Sequence, residues 1–80
     1  MNYYVYVLKS QKNSDIYVGS TEDVQNRFRL HNEGRVKSTK GYRPWGLMET
    51  RVCGTRVEAV KLERLLKTGQ QKELLRKKYC

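Results

Sequence analysis

Eighty residues with 38% hydrophobic and 31% charged side chains make one domain, residues 1–80, with a modest core, and exclude a disordered chain or a second core. Seventeen Lys and Arg against eight Asp and Glu leave a formal net charge of +9, a field that favours nucleic acid ahead of an anionic membrane surface or an acidic protein. Cys53 and Cys80 form no CxxC or Cys/His cluster, which argues against structural zinc and a disulfide framework; Met1 to Leu8 is too short for a signal sequence or a membrane span, so a cytoplasmic, non-membrane protein is expected.

Tyr3 to Lys9 is rich in aromatic and β-branched residues and reads as a strand. Gln11 to Ser14 is turn-like, and Ile16 to Gly19 reads as a second strand, giving a hairpin. Alternation puts Val5, Val7, Ile16 and Val18 on a buried face and Tyr4, Tyr6, Leu8 and Tyr17 on the other. A symmetric loop between Lys9 and Ser14 would set Tyr6 directly opposite Tyr17. A helix follows, capped by Ser20 or Thr21, with Val24 and Phe28 facing inward and Arg27 and His31, four apart, on a neighbouring stripe; Gly34 ends it. Arg35 to Arg43 is a basic loop, and Trp45 to Val52 reads as a third strand with Pro44 at its start. Thr55 to Glu58 is a capping box opening a helix with Ala59, Val60, Leu62, Leu65 and Leu66 as apolar positions and Glu63 among them. Thr68-Gly69 stops that helix, and Gln70 to Tyr79 is a last basic helix held by Leu74 and Leu75. The order β-β-α-β-α-α predicts a small α+β domain, a three-stranded antiparallel sheet flanked by helices.

Tyr4-Val5-Tyr6 and Tyr17-Val18-Gly19 lie one hairpin apart, followed by Arg27 and His31-Asn32-Glu33-Gly34. With Thr39 to Trp45, and with Glu63 ahead of Leu66-Lys67-Thr68-Gly69, they resemble the GIY-YIG nuclease superfamily, in particular its short stand-alone bacterial members, similar to the nuclease domain of the excision-repair incision enzyme. Tyr4 stands where the family name has glycine, and no asparagine follows Glu63, where several relatives carry one near the metal.

The resemblance implies a metal-dependent DNA endonuclease, structure-selective and with repair as its setting. Tyr6 would be the general base, an assignment that needs positive charge nearby because a free phenol has a pKa of about 10. Tyr17 would hold the attacking water or phosphate, Arg27 would clamp the phosphate with its planar fork of donors, and His31 would accept a proton from Tyr6 or bind a phosphate oxygen. Glu63 would hold Mg²⁺ or Mn²⁺, since a magnesium ion keeps most of its waters and takes one or two carboxylates. Lys9 would support the charge, and Gly19 would let the backbone turn into the helix. Each residue also has a plain structural reading: strand aromatics for Tyr6 and Tyr17, a strand-end glycine for Gly19, a hairpin-end lysine for Lys9, a surface arginine for Arg27, a solvent-facing histidine for His31, and an ion pair with Lys67 for Glu63. Phosphate contacts are expected from Arg35, Lys37, Lys40 and Arg43 in the loop and Lys72, Arg76, Lys77 and Lys78 in the last helix. Trp45 is expected in the core and Tyr42 in the loop. The alternative to a DNA-cutting monomer is a non-catalytic or partner-dependent nucleic-acid-binding module on the same fold, favoured by the missing late asparagine; an RNA-directed member shares every residue named.

Overall fold

The computed structural model describes residues 2–79, so Cys80 lies outside the described residues, and Cys53 is a buried free thiol. Three strands, β1 (Tyr3–Ser10), β2 (Ile16–Thr21) and β3 (Trp45–Cys53), form an antiparallel sheet in the order β2-β1-β3. Three helices, α1 (Val24–Asn32), α2 (Arg56–Leu66) and α3 (Gly69–Lys78), complete the β-β-α-β-α-α order and cover the sheet. The fold is the α+β architecture expected from the sequence.

Alternation along β1 divides the core in two. Val5 and Val7 join Ile16, Val18, Cys53, Ala59, Leu66 and Leu75 under α2 and α3. Tyr6 and Leu8 join Trp45, with Tyr17, Val24, Phe28 and Leu47 packed around them under α1. The sequence expectation made only the valine face buried; the structure buries both, with Tyr6 1% and Leu8 0% exposed. A central strand sandwiched between helices has no solvent side, which is why its apolar run is nearly continuous.

The hairpin register also differs from expectation. Tyr6 pairs with Gly19, and Tyr17 with Leu8. The loop is centred one residue later than a Lys9-to-Ser14 connection: Lys9 pairs with Ile16, the Ser10 amide donates to the Asp15 carbonyl at 2.8 Å, and Ser14 turns the chain at a φ of 63°. The pairing therefore slides by two residues, an even step that keeps Tyr6 and Tyr17 on one face.

The helix ends are set by local hydrogen bonds. β2 continues through Thr21, so Asp23 rather than Ser20 or Thr21 caps α1, accepting from the Asn26 amide at 3.0 Å. Gly34, at a φ of 78°, closes α1: its amide donates to the His31 carbonyl and that of Arg35 to the Leu30 carbonyl, a Schellman arrangement. Thr55 caps α2 as expected, while the Glu58 carboxylate reaches back to the Gly54 amide at 3.1 Å. Thr68 does more than end α2, since its side chain caps α3. Of the two leucines expected to hold α3, Leu75 is buried and Leu74 is 54% exposed, as is Leu65 of α2 at 53%.

Candidate active site

The Tyr6 ring is buried at the centre of the sheet and lies across the backbone of its cross-strand partner. A Cβ at Gly19 would stand 2.6 Å from Tyr6 Cζ and closer still to the phenol oxygen. Gly19 is thus the floor on which Tyr6 rests. It does not turn the chain into the helix, as the sequence suggested. β2 runs on past it, and the fold uses the space left by its missing side chain.

The Tyr6 hydroxyl meets His31 Nε2 at 2.9 Å, and His31 Nδ1 meets Thr39 Oγ1 at 2.8 Å. His31 is fully buried, which overturns the solvent-facing alternative. Its position follows from α1: Val24 and Phe28 dock the helix on the Tyr6 face, and the adjoining stripe places Arg27 and His31 over Tyr6. Tyr17 is half-buried beside them, its ring centroid 5.0 Å from that of His31 and 6.4 Å from that of Tyr6. Burial pushes the Tyr6 phenol up to about 12, with Arg27 pulling the other way. Burial, reinforced by the Arg27 charge, lowers His31 to about 4. At neutral pH the pair is an uncharged phenol beside an uncharged imidazole.

Glu63 reaches the same region from the other side of β2. Its Oε1 accepts from Ser20 Oγ at 2.6 Å, and its Oε2 pairs with Lys67 Nζ at 2.9 Å. Burial raises the Glu63 carboxyl, but the Ser20 hydrogen bond and Lys67 outweigh it and hold the group below the usual carboxylate range. Lys67 Nζ also lies 5.5 Å from the centroid of the Tyr17 ring, so one ammonium links Glu63 to the aromatic cluster. The ion pair with Lys67 anticipated as the plain alternative is therefore present. Among the described residues no group of three or more His, Cys, Asp or Glu is placed to hold a metal.

Tyr6, Tyr17, Arg27 and His31 are thus brought together, with Glu63 joined to them through Lys67. Lys9 is not. Three residues from Tyr6 it points to the opposite face, where its ammonium donates to the Tyr79 carbonyl. Thr39, as the partner of His31, and Ser20, as the partner of Glu63, are the contributors that sequence reasoning missed. Thr39 is 1% exposed, its carbonyl accepts from Trp45 Nε1 at 3.0 Å, and the Asn32 side chain exchanges two hydrogen bonds with the Trp45 backbone. Trp45 is core, as expected, and Tyr42 is 42% exposed in a short 3-10 turn, Lys40–Tyr42.

The basic residues divide between the two faces. Arg35, Lys37, Lys40 and Arg43 lie in the loop that carries Thr39 against His31. Lys72, Arg76, Lys77 and Lys78 ride on α3, whose Leu75 packs on the valine face. Several are already engaged: Arg35 pairs with Glu33 at 2.9 Å, Arg76 with Asp15 at 3.2 Å, and Lys78 with Glu49 at 3.3 Å. No helix among the described residues is long and apolar enough to cross a membrane.

Comparison with known proteins joins these features to a family. The GIY-YIG catalytic domain model matches residues 2–79. A UPF0213 protein of Bacillus pumilus is 38% identical over 73 residues, spanning 90% of this chain and 74% of that protein. The UPF0213 protein YazA of Bacillus subtilis is 38% identical over 76 residues, spanning 91% and 76%. The solution NMR structure of the UPF0213 protein BH0048 from Bacillus halodurans superposes with a TM-score of 0.57 at 35% identity, covering 94% of this chain and 82% of that one. The relatives' names state no activity; the matched domain is that of a nuclease family. By this match over residues 2–79 and its identity to these relatives, the chain belongs to the GIY-YIG family.

Proposed function

We propose that this protein is a divalent-metal-assisted endonuclease that hydrolyses phosphodiester bonds in DNA. The observation that carries the reading is the 2.9 Å contact between the Tyr6 hydroxyl and His31 Nε2 beside Arg27. A phenol held near a pKa of 12 is a poor base alone. Coupled to His31 it acts differently: as its oxygen takes a proton from the attacking water, its own proton passes to Nε2. Burial, and with it the Arg27 charge, opposes that transfer in the free protein, because both disfavour imidazolium. A bound phosphate neutralises Arg27 and sets a negative charge beside the imidazole, which offsets part of the cost of burying imidazolium and favours the relay when substrate arrives. Tyr17 orients the water or phosphate at the rim of the same cluster.

Glu63 is the residue that would hold Mg²⁺ or Mn²⁺. Its ionised, partly exposed carboxylate already binds a cation, the Lys67 ammonium, and one carboxylate suffices for an ion that keeps most of its waters. Bound there, the ion would supply charge stabilisation at the scissile phosphate. Branched, flapped and nicked DNA, the intermediates of repair, are the substrates of choice, with RNA of the same shapes alongside. Cleavage is expected with Mg²⁺ or Mn²⁺ and a fall of about 100-fold or more in Glu63→Ala. Undiminished cutting by that variant would refute the metal assignment.

The Lys67–Glu63 ion pair favours a second reading, a nucleic-acid-binding module that does not cut. Salt-sensitive binding with no metal-dependent cleavage on any of these substrates selects it.

A further inference from the structure

The geometry points to Thr39 as the positioning residue that fixes the tautomer of His31, leaving the Nε2 lone pair aimed at Tyr6. Thr39 thereby orients the Tyr6–His31 relay proposed above, and its part in catalysis rests on that reading.

Hydrogen bonds in this buried chain can be counted from both ends. Thr39 Oγ1 has one proton, and the Val36 carbonyl, 3.3 Å away, accepts it. A hydroxyl whose proton is committed to a carbonyl can only accept from the imidazole, so the 2.8 Å contact is Nδ1–H donating to Thr39 Oγ1. A neutral imidazole carries one N–H, so Nε2 is then bare. From the other end, His31 Nε2 is the one acceptor among the described residues that the Tyr6 hydroxyl meets, since the Arg27 guanidinium beside it can only donate. If Nε2 carried the proton, the phenol proton would have no protein acceptor in a site where Tyr6 is 1% exposed. Both counts give one direction: Tyr6 donates to His31, His31 to Thr39, and Thr39 to Val36.

The backbone holds Thr39 in place on both sides. Its carbonyl is fixed by Trp45 Nε1, and its amide donates to Val36 at 3.1 Å. Those backbone anchors survive Thr39→Val, which removes only the hydroxyl and keeps nearly the same volume. Thr39→Ser keeps the hydroxyl.

The direct test is two-bond ¹H–¹⁵N NMR on uniformly ¹⁵N-labelled protein near neutral pH, where the lone histidine gives one set of ring signals. Wild type and Thr39→Ser are expected to show a protonated Nδ1 and an unprotonated Nε2; Thr39→Val is expected to shift population to the Nε2–H form. On DNA, Thr39→Val should lower the cleavage rate by about 10- to 100-fold, with binding in EDTA unchanged and Thr39→Ser restoring the rate. A wild-type spectrum with the proton on Nε2 overturns the assignment without any variant, as does an unchanged tautomer in folded Thr39→Val. The expected spectra from a protein that cuts no nucleic acid would leave Thr39's role standing and refute the nuclease reading instead.

Discussion

Val5 and Val7 on one side of β1 and Tyr6 and Leu8 on the other are equally buried, yet the two faces are held together by different means. The valine face meets Ala59, Leu66 and Leu75 through contacts that have no preferred direction. The tyrosine face buries His31 and Thr39 as well, and every fully buried side-chain nitrogen and oxygen among the described residues has a hydrogen-bond partner. Apolar packing tolerates small displacements, whereas a relay of two contacts near 2.9 Å does not. The first face should therefore set stability and the second should set activity.

One substitution on each face tests that division most sharply. Gly19→Ala puts a methyl group into the Tyr6 ring, and the phenol must move. Overpacking of this kind costs about 1–3 kcal/mol, and a displacement of about 1 Å at a catalytic group costs about 100-fold in rate. Leu75→Ala empties part of the opposite face and is expected to cost about 3 kcal/mol in urea denaturation. The rate per folded molecule should stay at the wild-type value. Equal rate losses in the two variants would show that the faces do not divide the work.

The tyrosine face also predicts how stability depends on pH. His31 stays neutral in the fold down to about 4, whereas in the unfolded chain it binds a proton below about 6.5. The unfolded state therefore takes up the extra proton, and stability is lost as pH falls from about 6.5 toward about 4. By about pH 5 the loss amounts to about 2 kcal/mol. Tyr6 marks the other edge. It keeps its proton to about 12, where an unfolded tyrosine has released its own, so its contribution is lost as pH rises beyond about 10. Denaturant melts of wild type and His31→Gln at about pH 8 and about pH 5 isolate the acid limb, since the carboxylates are common to both. A difference that does not change with pH would mean that the imidazole is hydrated and the relay absent.

How the chain folds was legible where a short period governs it. Alternation assigned Tyr6 and Tyr17 to one face, and a spacing of four put Arg27 beside His31. The same alternation, applied three residues past Tyr6, already sends Lys9 to the other side, a consequence the family pattern obscured. Register was not legible, because a slide of two residues leaves every face unchanged and only the path through Ser14 decides it. The reason for Gly19 was hidden with it, since its neighbour is known only once Tyr6 is paired. Thr39 and Ser20 lay beyond reach for another reason. Their partners His31 and Glu63 are 8 and 43 residues away, and no periodicity governs a loop's return or the docking of α2.

The smallest expected effect concerns where a polyanion lies. The loop cations adjoin the tyrosine face through Thr39, and the α3 cations adjoin the valine face through Leu75. A strand whose scissile phosphate meets Arg27 and Tyr17 runs past the first set and away from the second. Each lysine that contacts a phosphate contributes about 0.9 to the slope of log K against log salt concentration. Replacing Lys37 and Lys40 with alanine should therefore lower the slope by about 2, while replacing Lys72 and Lys77 should move it by less than about 0.5. Binding isotherms on one duplex over a range of salt concentrations measure both. The reverse ranking would lay the nucleic acid across α3, on the far side of the sheet from Tyr6, and the relay with His31 would then have no phosphate to act on.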